Sequence, residues 1–221
     1  MIKIENVVLA SPEQMEFIIE GMRNPMNSWD KSDSSCGKAT RPTNVQWSND
    51  YFIGTNDSNL MKRLANAGTE HRKYMRMIPV YTRITAPLYW WKEFDTYKVG
   101  TVANSCSTMH KIAAKEFTVE DFSYEHLFSL GTLRMVIDDL NDNRAKYLST
   151  KNKDYWWQMI QLLPSSYNQT RNVMLNYEVL ANIYRQRKGH KLDEWITFCK
   201  WIDSLPYSEL ITGKEKKDEC Y

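Results

Sequence analysis

The chain has 221 residues, 42% hydrophobic and 13% aromatic, with a formal net charge of +2. That composition excludes a disordered chain and is long enough to bury a real core. Its four cysteines, Cys36, Cys106, Cys199 and Cys220, are scattered without a C-x-x-C pair, which argues against a zinc site, and no metal is expected.

The first residues, Met1–Ile2–Lys3–Ile4–Glu5, alternate instead of forming an apolar leader, so a reduced cytoplasmic protein is expected. No apolar run approaches a membrane span, and no strong basic run marks a nucleic-acid surface; neither partner is expected. Ile2, Ile4 and Val7–Val8–Leu9 read as a first strand. Ser11–Pro12 starts a helix with Met15, Ile18, Ile19 and Met22 on one face, ending before Pro25. Residues 27–50 read as a long polar loop. Asp57–Ser58–Asn59 is expected to cap a second helix bearing Leu60, Leu64 and Ala67, with Gly68 at its C-cap. A strand follows at Ile78–Ile84, broken at Ala86–Pro87, then a helix over Leu88–Phe94. Lys98 to Met109 reads as a polar loop of the kind that surrounds a ligand. A long helix is expected from about Ser123, with Leu127, Leu130, Ile137 and Leu140 as its stripe. Trp156, Ile160 and Leu163 mark another helix that stops at Pro164. Leu192, Trp195, Ile196, Cys199 and Ile202 mark the last one, before Pro206. Helices dominate and strands are few, so the class is α+β: a small, mainly antiparallel sheet packed with several long helices. No linker is visible, and one domain over 1–221 is expected.

The most informative stretch is Asn176 to Arg187. Val179, Leu180, Ile183 and Tyr184 recur at helical spacing, and Arg187, four residues after Ile183, points along the same stripe. An arginine on the packed side needs a carboxylate or an anionic ligand. The pattern resembles the C-terminal signature helix of flavin-dependent thymidylate synthases: Asn, a basic residue two on, Asn or His six on, and Arg eleven on. Asn176, Asn182 and Arg187 match, and Glu178 replaces the basic residue. The resemblance runs from about residue 57 to 205. Thr85–Ala86–Pro87–Leu88 to Phe94 is similar to the family's strand-to-helix entry, and Leu162–Leu163–Pro164 to a later motif. The family's Arg-His-Arg and following Ser are Thr96–Tyr97–Lys98 and Thr101 here; its Ser-x-Arg-Tyr run is Cys106, Ser107, Thr108 and Met109.

The resemblance implies a cytoplasmic homotetramer that methylates dUMP to dTMP with methylenetetrahydrofolate and reduced FAD, NADPH serving as reductant. It implies flavin contacts from His71, Asn176 and Asn182, and nucleotide contacts from Lys98, Ser105, Cys106, Ser107, Thr108 and Arg187. Arg187 is the candidate catalytic residue. Cys106 and Ser107 have no His–carboxylate partner in sequence to make them nucleophiles. The missing cations leave an alternative open, a catalytically degenerate homologue that binds a nucleotide or flavin, and beside it an enzyme for another pyrimidine. Arg187 could instead pair with Glu178 or Glu194. Trp90–Trp91 and Trp156–Trp157 fit core or subunit interface better than a cofactor stack.

Overall fold

The computed structural model describes residues 1–36 and 51–213. Of the expected loop over 27–50, residues 37–50 lie outside the described residues. The elements run β1 (Lys3–Leu9), α1 (Pro12–Arg23), β2 (Ser35–Cys36), β3 (Tyr51–Phe52), α2 (Thr55–Ala67), β4 (Pro79–Pro87), α3 (Leu88–Phe94), β5 (Val102–Ser105), α4 (Thr108–Lys111), α5 (Gly131–Thr150), α6 (Lys153–Leu162), β6 (Asn168–Asn176), α7 (Tyr177–Arg187), α8 (Asp193–Asp203) and α9 (Glu209–Thr212). The four longer strands form one small antiparallel sheet in the order β1–β4–β6–β5, which makes the class α+β. In β4 the side chains of Val80, Thr82 and Ile84 are buried and those between are exposed, as period-two alternation requires.

The chain packs as two compact units built from interleaved segments, so no linker shows in the sequence. Unit 1 comprises Met1–Glu5, Arg83–Thr96 and Ala103–Val173. Its core joins Leu133, Ile137 and Leu140 of α5 to Met159 of α6, Ile112, Phe117 and Phe122. Trp90, Trp91 and Phe94 of α3 form a buried aromatic triad with ring centres 4.9–5.2 Å apart. Unit 2 comprises Asn6–Thr82, Tyr97–Val102 and the chain from Met174 onward. There α7 packs on α8, α9 and the 3-10 turn Lys73–Met77, which also packs on α1. Ser11 caps α1 as expected, its side chain accepting from Gln14 in a capping box.

Four readings need correction. α2 begins at Thr55, with Gly54 as N-cap, because a residue distant in sequence does the capping: the Asp33 carboxylate accepts from the backbone N–H of Asn56 and Asp57 at 2.9 and 3.1 Å. The first turn of α2 lies so close to Asp33 that a Cβ on Gly54 would sit 2.2 Å from it. α2's buried face is Asp57, Leu60, Met61 and Ala65, while Ala67 is exposed. α5 begins at Gly131, not near Ser123: Ser123 N–H bonds to the Ser166 carbonyl and its hydroxyl to Asn168, holding that stretch extended, and Leu127 is 51% exposed. Lys98–Met109 is not all loop, since it contains β5 and α4. β6 carried no strand signal because its first half, Asn168–Asn172, is polar; Thr85 and Thr170 exchange a hydroxyl hydrogen bond at 2.8 Å, and the strand runs between β4 and β5.

Candidate functional site

In unit 2 the site grows from the entry to α7. Asn176 ends β6 with extended backbone and caps the helix, its side-chain oxygen accepting from Val179 N–H at 3.0 Å. Its amide nitrogen faces the Gly100 carbonyl at 3.4 Å. Gly100 has φ +78°, and a Cβ there would lie 2.8 Å from that nitrogen, so both the conformation and the close approach require glycine. Beside it, the Thr101 hydroxyl oxygen is buried with no hydrogen-bond partner among the described residues. A buried unpaired hydroxyl costs roughly 1–3 kcal/mol unless a ligand supplies the bond.

At the last turn of α7, Arg187 is half-buried and held on several sides. Its Nε donates to the Tyr97 hydroxyl at 2.8 Å, and that hydroxyl donates to Gln186 Oε1 at 3.0 Å. Gln186 Nε2 donates to Asn182 Oδ1 at 2.9 Å, and Arg187 Nη1 lies 3.0 Å from His190 Nε2. The guanidinium carbon lies 4.7 Å from the Trp195 ring centre and 5.6 Å from that of Tyr97, so two rings fix its plane. One network thus joins Asn182, Gln186, Tyr97, Arg187 and His190.

Glu178 is not Arg187's partner. It forms an ion pair with Arg72 at 3.0 Å, without the alignment of a hydrogen bond, which ties the first turn of α7 to the segment after α2. Neighbouring His71 is exposed, its Nε2 3.6 Å from the Glu70 carboxylate. Lys98 is exposed and stands outside the Arg187 network. Burial pushes the Tyr177 phenol far above its ordinary 10.0, leaving it a donor to the Pro206 carbonyl at 2.6 Å and fixing α7 in place.

The remaining candidates belong to unit 1. Ser105, Cys106 and Ser107 are exposed, and Thr108 is half-buried. Cys106 N–H bonds to the Thr170 carbonyl at 3.0 Å, continuing the β5–β6 pairing. Gln169 Nε2 donates to the Cys106 carbonyl and the Thr108 hydroxyl at 3.1 and 2.9 Å. Gln169 Oε1 accepts from Arg171 Nε at 2.9 Å, and Arg171 reaches Asp95 at 2.6 Å over the face of Trp91. Sequence reading overlooked Gln169 and Tyr97 as organisers of these groups. No local spacing marks either one, because their partners lie 61 and 90 residues away.

Comparison with protein-family models and with curated proteins finds no match. Among solved structures the chain is similar to thymidylate synthase X (ThyX) from Helicobacter pylori with FAD and dUMP: TM-score 0.67, 14% identity, covering 96% of this chain and 95% of that one. A second structure of the Helicobacter pylori enzyme with FAD and dUMP gives TM-score 0.63 at 15% identity, with 96% of each chain covered. The UMP/dUMP methylase PolB from Streptomyces cacaoi, bound with 5-Br dUMP, gives TM-score 0.60 at 11% identity over 96% of this chain and 94% of that one. These likenesses show the flavin-dependent thymidylate synthase fold.

Proposed function

We propose that the protein binds a pyrimidine nucleotide and FAD and methylates dUMP to dTMP, with methylenetetrahydrofolate as one-carbon donor and NADPH as reductant. The observation that carries this reading is the network at α7, set in a fold that spans nearly the whole chain. A planar cation, Arg187, is pre-oriented by Tyr97 and Trp195 in the unit whose Thr101 hydroxyl is buried without a partner. Binding sites are built this way: the ordering cost falls in folding, and the ligand supplies the missing bonds. The likeness to both a thymidylate synthase and a UMP/dUMP methylase supports a pyrimidine monophosphate as substrate.

The donor set fits a flavin dinucleotide in kind. The orphaned Thr101 hydroxyl and the half-buried Asn182 carboxamide suit an isoalloxazine edge, and Asn176 holds the Gly100 backbone beside Thr101. Exposed Lys73 and Arg76 supply positive charge for a diphosphate, on the turn that packs against α7, and exposed His71 lies just before them. When bound, reduced flavin supplies the hydride that completes methylation. The chain's own residues bind and orient: Arg187 holds a phosphate or a pyrimidine carbonyl, and its planar fork suits either. Within unit 1, Ser105, Ser107 and Thr108 offer hydroxyls to a phosphate, as the resemblance implies, and Cys106 holds that run against Thr170 and Gln169. The homotetramer that the resemblance implies is to be read by light scattering on the purified protein.

The test is direct. Protein incubated with FAD and desalted should stay yellow, and with NADPH and methylenetetrahydrofolate it should release tritium from C5-labelled dUMP. A colourless protein without tritium release removes the reading. A second reading rests on Thr96–Tyr97–Lys98, which stand where the resembled family has Arg-His-Arg, and on Thr108 in place of an arginine: the fold binds a nucleotide or flavin without synthesis. Retained FAD or a dUMP-induced rise in melting temperature, with no tritium release, selects it.

A further inference from the structure

Unit 2 contains a second polar cavity, of about 580 Å³, built from residues that the α7 site does not use. Its lining is Arg23, Met26, Ser28, Lys31 and one face of α2: Asn56, Asn59, Leu60 and Arg63. The volume lies within the range of roughly 300–1,000 Å³ typical of small-molecule sites. Among the described residues three cations line it and no carboxylate does.

The Arg23 side of the cavity is held in place by buried bonds. Arg23 is 3% exposed; its Nε donates to Asp57 at 2.5 Å and its Nη1 to the Ser28 carbonyl and hydroxyl at 3.2 and 3.3 Å. Nη2 is the nitrogen left outside these bonds. Asp57 is fully buried and already accepts from Arg23, Ser32, Asp33 and Ser34, so it neutralises the arginine from behind without facing the cavity as a free anion. Trp29 Nε1 donates to Asn24 Oδ1 at 2.8 Å, which clamps the turn carrying Met26 and Lys31.

We propose that this cavity binds a small organic phosphate, its phosphate meeting Arg23, Lys31 and Arg63 and its body lying over Met26 and Leu60. Asn56 and Asn59 add carboxamides that donate and accept, the equipment for reading a nucleobase edge. The site stands independently of the reading of α7.

Calorimetric titration of the full chain at low ionic strength tests it, with AMP and inorganic phosphate as probes. AMP should bind saturably and phosphate should compete. Lys31→Gln with Arg63→Gln should weaken AMP binding by about tenfold or more, since two charge-assisted contacts go. Lys3→Gln with Lys146→Gln, removing two exposed lysines elsewhere, should leave it unchanged. Arg187→Ala should retain it. Absence of saturable binding, indifference to the first pair, equal weakening by the control pair, or loss in Arg187→Ala overturns the proposal.

Discussion

Replacing Asp57 by alanine should be among the most damaging single changes in unit 2. The carboxylate is 0% exposed, and the Arg23 guanidinium beside it is 3% exposed. Removing one member of a buried pair strands the other charge, at a cost of about 3–5 kcal/mol. The Ser32 and Ser34 hydroxyls and two backbone N–H groups also lose their acceptor, and waters entering from the adjoining cavity satisfy part of that loss. Taking about 4 kcal/mol and about 2–4 °C per kcal/mol for a chain of this size, the melting temperature should fall by roughly 8–16 °C. Thermal and urea unfolding followed by circular dichroism reads this. Acid gives a second readout. Burial raises the Asp57 pKa, but hydrogen bonds from Ser34, Ser32, Arg23 and Asp33 outweigh it and leave the carboxyl below its ordinary 3.8. A folded pKa below the unfolded one means the stabilisation is complete above about pH 4 and is lost as pH falls through the folded value. The alanine variant should lack that part of the acid dependence. Arg23→Met with Asp57→Leu should recover the part of the loss that comes from the stranded Arg23 charge, because a packed apolar pair costs no desolvation, and not the part that comes from the four donors left without Asp57. An Asp57→Ala protein that melts within about 3 °C of the parent would refute the argument.

Arg187→Ala should cost about 2–5 kcal/mol of dUMP affinity by calorimetry, and Arg187→Lys should rescue only a point-charge contact; a lowered melting temperature with unaltered affinity would show the arginine to be structural. Asn176→Ala should destabilise by about 0.5–2 kcal/mol in urea through loss of the α7 cap, and Asn176→Asp should largely restore it. Gly100→Ala meets both a positive φ and the Asn176 side chain, so it should cost more than about 1 kcal/mol; a neutral result would mean that the 97–101 turn is free to move.

Some of this was legible in sequence for local reasons. Ser11–Pro12 announced its helix because a cap bonds within three residues of itself, and α7 showed in the helical spacing of Val179, Leu180, Ile183 and Tyr184. Arg187 was legible as an arginine on an apolar stripe, and the same logic applied to Arg23 after Met22 and to Asp57 before Leu60 marks each as a buried charge without naming its partner. The tertiary structure alone decided the partners. Glu178 was a candidate partner for Arg187, yet it faces Arg72, and Tyr97 takes the Arg187 Nε. α2 starts at Thr55 because Asp33 reaches its N–H groups, and β6 is a strand because β4 and β5 flank it. Local propensity spans a few residues, whereas these outcomes turn on groups brought together from 23 to 106 positions apart. Composition, periodicity and capping therefore determine most of the elements and the class, and packing determines the rest, which charged groups meet, and which polar groups, such as the Thr101 hydroxyl, have no partner among the described residues.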